Sequence, residues 1–221
     1  MSHAPQPRTG FDWPTYADAT LAGLSILIPI PILDWVFERF FRRRMAGVIA
    51  RRHGRKLSPG VAAALNRDEG NWLTTCLTLP ITGTIWLIKR VSRKILYFLT
   101  VKEATDQISY YWQRAFLIDY MLLAGHLDDA EAAGIARQAM QDVLQATASP
   151  LTQLARQVTS GTSNIWQTLR RARRGNEDAT IQQTRSEMNQ SWGSFDAYFR
   201  LLAQQYEQAY RARRERPAAV V

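Results

Sequence analysis

A chain of 221 residues can form one large helical domain, or a smaller domain with a helical arm. Its 46% hydrophobic content excludes wholesale disorder, and 28 Lys and Arg against 19 Asp and Glu favour polyanionic partners, either anionic lipid or nucleic acid. The lone cysteine, Cys76, excludes an intramolecular disulfide, and the scattered His3, His53 and His126 lack metal-ligand spacing, so no metal or cofactor is expected.

Residues 1–14 carry Pro5, Pro7 and Pro14 without the charged and apolar regions of a signal peptide, and are expected to be a flexible tail. Asp12 or Thr15 is placed to cap the first helix. The apolar run 20–33, TLAGLSILIPIPIL, contains Pro29 and Pro31, each of which removes a backbone donor and breaks a helix there. Asp34 then stands where a second helix would start. That helix is strongly basic, with Arg39, Arg42, Arg43, Arg44, Arg51, Arg52, Arg55 and Lys56 and no acid between them. Trp35, Phe37, Phe40, Phe41, Met45, Val48 and Ile49 supply its apolar side, and His53-Gly54 closes it. Ser58-Pro59 reads as an N-cap followed by a proline in the first turn of a short helix.

A second uncharged run, NWLTTCLTLPITGTIWLI at 71–88, is closed by KRVSRK and followed by ILYFLTV. Residues 104–125 predict an aromatic-rich helix that is apolar almost all round from Ala115 to Ala124, as a central buried helix would be, with Gly125 as its stop. Asp119 inside that run either lines a polar cavity or pairs with a cation such as Arg114, and pairing is the expected case. His126 to Asp129 opens the next helix, where an N-cap aspartate is the expected role rather than a metal ligand. Ile135, Ala136, Ala139, Met140, Val143 and Leu144 share one of its faces.

The clearest pattern lies near the C-terminus, where Met188, Trp192, Phe195, Phe199, Leu202 and Tyr206 recur as an a/d heptad seam. Leu151, Leu154, Val158, Ile165 and Leu169 carry a matching stripe upstream, and the turn around Gly175 joins the two. An antiparallel hairpin over 148–216 follows, opened by Ser149-Pro150. The expected fold is therefore all-α. A helical membrane-associated domain at 15–147 precedes the hairpin, and a short tail at 217–221 follows it.

Each apolar run falls short of, or barely reaches, the roughly 20 residues of a spanning helix, and each is broken by proline. Spanning once with each run would also place the two basic clusters on opposite sides, against the preference of short basic flanks for one side. A surface-lying arrangement keeps both clusters together. The residues expected at the lipid are Trp35, Phe40, Phe41, Arg42, Arg43, Arg44, Arg51 and Arg52, with Trp72, Trp86, Lys89, Arg90, Arg93 and Lys94 around the second run. The competing expectation is a soluble helical domain whose apolar runs are simply its core.

The segment from Leu27 to Ser58 carries Ile28, Pro29, Pro31 and Asp34, then Ile49, Ala50, Gly54, Leu57 and Ser58. In these positions it resembles the repeated element of the DUF697 and EcsC-like groups of bacterial membrane-associated helical proteins. The resemblance covers about 30 of 221 residues. The chain departs from those groups in its Thr- and Trp-containing second run and its long heptad pattern. What the resemblance implies is peripheral membrane association without known enzymatic activity.

Neither GxxxxGK nor GxGxxG occurs, and no catalytic residue is expected. The sequence thus predicts a non-enzymatic peripheral protein on the cytoplasmic face of a bacterial membrane. It would bind anionic lipid and recruit a protein partner, or itself, through the hairpin. An accessory subunit of a larger membrane complex is the alternative. Nucleic-acid binding through RRARR at 170–174 and RARRER at 211–216 is a third.

Overall fold

A computed structural model describes residues 12–25, 31–67, 93–147, 149–152, 154–156, 186 and 189–215, with the backbone alone at 13–14, 31–35 and 93–101. Among the described residues there are helices and no strands, so the fold is all-α. The elements are α1 (Trp13–Leu24), α2 (Pro31–Arg52), α3 (Pro59–Leu65), α4 (Arg93–Leu123), α5 (Ala130–Ala146) and α6 (Asp196–Glu215).

α1 starts at Asp12, whose extended backbone turns its carbonyl onto the amides of Thr15 and Tyr16, each at 3.0 Å. The carboxylate of Asp12 caps no amide. It accepts the Thr15 hydroxyl at 2.5 Å and pairs with Arg52, tying the first turn of α1 to the last turn of α2. Every residue from Thr15 to Ser25 is buried. The described part of the first apolar run is therefore protein core, packed on α4, which corrects the expectation that it faces lipid. At Gly23 the backbones touch, since a Cβ there would lie 2.5 Å from the Ile108 Cα.

The polar groups this helix buries are provided for, as they must be. Thr20 donates to the Tyr16 carbonyl at 2.9 Å and accepts from the Trp112 indole at 2.9 Å. Ser25 donates to the Ala22 carbonyl at 2.7 Å. Asp18 faces the Arg44 guanidinium at 3.1 Å.

α2 begins at Pro31, three residues before Asp34, with a proline in the first turn where its missing N–H costs least. Phe41, Met45, Ala46, Ile49 and Ala50 form its buried face. It closes as the sequence predicts. Gly54 takes φ 66°, the Arg55 amide reaches the Ala50 carbonyl at 2.9 Å and the Gly54 amide reaches Arg51 at 3.0 Å. The same motif ends α4, with Gly125 at φ 76° and His126 bonded back to Met121 at 2.9 Å. The Ser58 and Asp129 side chains cap α3 and α5, accepting from Val61 at 3.3 Å and Ala132 at 2.8 Å.

α4 is one helix of 31 residues, so ILYFLTV continues into the aromatic segment rather than standing apart from it. It is buried on all sides from Tyr111 to Ile118, a turn earlier than the expected stretch from Ala115 to Ala124, of which Leu123 and Ala124 are half-buried. Asp119 is paired, but with His53 at 2.6 Å rather than with Arg114. Arg114 instead donates to the Leu65 carbonyl at the end of α3, at 3.3 Å.

Among the described residues, the heptad seam packs on α4. Trp192, Phe199 and Tyr206 meet Trp112, Phe116 and Tyr120 in turn, at ring separations of 5.5, 4.6 and 5.9 Å. A heptad ridge on one segment thus interlocks with an i, i+4, i+8 ridge on α4, in the same chain direction. Tyr16 of α1 closes over Trp192 at 4.6 Å. Leu202 is also buried and Phe195 packs at the margin of this core. Leu151 and Leu154 join the same hydrophobic cluster. The expected pairing across Val158, Ile165, Leu169 and Met188 lies outside the described residues.

Candidate lipid-facing surface

Helical phase places Val36, Phe40, Arg43, Gly47 and Arg51 along one stripe of α2, at steps of four, three, four and four residues. All face outward from the core side. Val36, Phe37 and Phe40 are 44%, 39% and 52% exposed, and the one other large apolar side chain this exposed among the described residues is Leu201 of α6. Isolated exposed hydrophobics need no explanation, but three within two turns of one helix form a patch.

Behind the patch stands Phe41, only 5% exposed, with the Phe37 ring stacked at 6.2 Å and the Phe40 ring edge-on at 5.3 Å. Phe41 is therefore a core residue and cannot itself meet lipid, a correction forced by its position 100° round the helix from Phe40. Phe37 takes its place on the outer face. Val36 was not singled out by sequence, although it sits one turn before Phe40 on the same stripe.

The cations sort by partner. Arg42 faces Glu38 at 3.8 Å, Arg44 faces Asp18 at 3.1 Å, Arg52 pairs with Asp12 and Arg55 with Asp128. Their charge is partly met inside the fold, so Arg42, Arg44 and Arg52 contribute less outward field than the sequence implies. Arg43 and Arg51 are exposed on the stripe, and no described carboxylate pairs with Arg43. Lys56 is exposed just beyond the helix end. Burial pushes the Asp18 carboxyl above its usual range, and Arg44, then Arg51, pull it back.

Of the other expected surface residues, Trp72, Trp86, Lys89 and Arg90 lie outside the described residues, as do the side chains of Trp35, Arg93 and Lys94.

Polar side chains also fasten α2 and, separately, α6 to the C-terminal part of α4. His53 and Asp119 join α2 to α4, and Arg55 donates to the Leu122 carbonyl at 2.9 Å beside them. Nearby, His126 Nδ1 lies 2.9 Å from the Tyr206 hydroxyl and Nε2 lies 3.8 Å from Glu207, while the imidazole stacks on Tyr210 at 3.8 Å. Tyr120 also donates to Glu207, at 3.1 Å. Burial raises the Tyr206 phenol far above its ordinary range and lowers His126, so a neutral phenol meets a neutral imidazole. This arrangement fastens α6 to the end of α4. Among the described residues no group of three or more His, Cys, Asp or Glu is placed to hold a metal ion.

Compared with protein-family models, curated proteins and solved structures, the chain matches none. Among the described residues no helix is long and apolar enough to cross a membrane. Among the described residues, the outer stripe of α2 combines exposed apolar and cationic side chains that the packing of the fold does not explain.

Proposed function

We propose that the protein docks peripherally on an anionic lipid surface through the outer face of α2 and serves there as a non-enzymatic scaffold. The observation that carries this reading is an exposed aromatic and aliphatic turn lying on the same stripe as outward-pointing arginines. A cationic face with Phe and Leu-type residues beside it is the composition of helices that lie in the headgroup plane. Each cation near an anionic leaflet contributes about 1 kcal/mol, so Arg43, Arg51 and Lys56 together give about 3 kcal/mol, or roughly a hundredfold in partitioning at low salt. The scaffold role rests on α6, whose exposed Leu201, Gln204 and Gln208 face away from the core and offer a surface to a partner.

Co-flotation of the purified chain with neutral and anionic vesicles, at low and high salt, tests the proposal. Flotation with anionic vesicles alone, weakened by salt, supports it. An absence of flotation under every condition refutes it, and retention on DNA without any vesicle binding transfers the function to nucleic acid.

A further inference from the structure

The stripe on α2 is not uniform along its length. Its N-terminal half is apolar, with Val36 and Phe40 on the stripe and the exposed Phe37 beside it, and its C-terminal half is cationic, with Arg43 and Arg51. Phe40 and Arg51 are separated by about 16 Å along the axis at 1.5 Å per residue. The two halves therefore meet different depths or different parts of whatever surface covers them.

The charge decides what that surface is. A second copy of α2 laid against the first would bring arginine stripes together, or arginines onto phenylalanines, with no described acid on the stripe to relieve them. A lipid leaflet offers both phosphate and hydrocarbon within one helix diameter. Resting on the docking proposed above, we infer that α2 reads two leaflet properties at once, a phenylalanine wedge entering gaps between headgroups while Arg43 and Arg51 grip their phosphates.

The wedge is rigidly backed, because Phe37 and Phe40 both rest on buried Phe41. It is also small. Two half-exposed rings and a valine are too little apolar surface to hold a protein on a tightly packed neutral bilayer, and the stripe's arginines alone are screened by salt. Firm binding therefore draws on negative charge and loosened packing together, while charge alone supports weak binding at low salt. Helices of this kind are sensitive to curvature for the same reason.

The test uses the full chain with phosphatidylcholine vesicles containing or lacking phosphatidylserine, prepared at about 30 nm and about 400 nm diameter. The wild type is expected to float about tenfold better with small anionic vesicles than with large ones, and to stay in the bottom fraction with neutral vesicles of either size. The Phe37→Ala/Phe40→Ala variant should lose the preference for small vesicles and all binding at about 0.5 M salt, while keeping weak low-salt binding. The Arg43→Gln/Arg51→Gln variant should lose binding to large anionic vesicles. Val36→Ser/Phe40→Ser serves as a second wedge variant, and thermal melts by circular dichroism establish that each variant is folded. Wild-type binding indifferent to vesicle size, or a wedge variant that binds like the wild type at high salt, overturns this inference and leaves surface docking standing. Failure of the wild type to bind any vesicle overturns both. Equal retention of wild type and wedge variant on DNA, with vesicles failing to compete, assigns the stripe to nucleic acid and also overturns it.

Discussion

Replacing Trp192 by alanine tests whether the C-terminal segment is part of the main core or an appendage to it. The indole is fully buried, with Tyr16 at 4.6 Å, Trp112 at 5.5 Å and Phe199 at 4.9 Å. Its neighbours come from α1, α4 and α6, which cannot all collapse into the space it leaves. Truncations of this kind cost about 3 to 5 kcal/mol. With a urea slope of about 3 kcal/mol/M, the midpoint should fall by roughly 1 to 1.7 M. Urea titration followed by far-ultraviolet circular dichroism and by tryptophan fluorescence gives the readout. The two probes should coincide and shift together, because α1 and α4 lose the same contact as the C-terminal segment. A loss below about 1 kcal/mol, or a biphasic curve whose main transition stays at the wild-type midpoint, would refute the single shared core.

Gly23→Ala should destabilise the protein by about 1 to 3 kcal/mol, since the added methyl meets the Ile108 backbone and α1 must move off α4. Gly134→Ala, in α5 with nothing within 4 Å of the new methyl, should stabilise it by about 0.5 to 1 kcal/mol; chemical denaturation of the pair checks both signs. His126 supplies a pH dependence. Burial lowers its pKa below the ordinary 6.5, so between those two values the unfolded chain binds more protons and stability declines as pH falls through that window. Urea midpoints at about pH 7.5 and about pH 5.5 should therefore differ more for the wild type than for His126→Gln; equal differences would remove His126 as the source.

The local signals in the sequence were reliable where one residue type answers one backbone need. Gly54 and Gly125 stop helices because only glycine takes a left-handed residue cheaply, and Ser58 and Asp129 start them because a short oxygen-bearing side chain reaches an open amide. The seam residues Trp192, Phe199, Leu202 and Tyr206 were legible as a buried stripe, but periodicity names a face and not its partner. The matching stripe at Leu151 and Leu154 suggested a hairpin, whereas the contacts that can be described run to Trp112, Phe116 and Tyr120 on α4. The apolar stretch from Thr20 to Leu24 read as lipid-facing for the same reason, because burial in protein and in lipid select the same side chains. The ion pairs of Arg44 with Asp18 and Arg52 with Asp12 join residues from separate helices, so a run of arginines without nearby acids exaggerated the outward charge. Phe41 was misplaced by one residue's rotation from Phe40.

The contact between Tyr16 and Trp192 has a consequence during synthesis. The two residues lie far apart in a 221-residue chain, and the ridge of Trp112, Phe116 and Tyr120 waits for rings that are translated long after it. At about 5 to 20 residues per second, the ribosome holds that ridge uncovered for several seconds. α1, α2 and α4 can gather in that interval, but the aromatic side of α4 remains open until Trp192 clears the exit tunnel. Until the last helix arrives, that ridge is apolar surface of the kind that makes an emerging chain prone to aggregate.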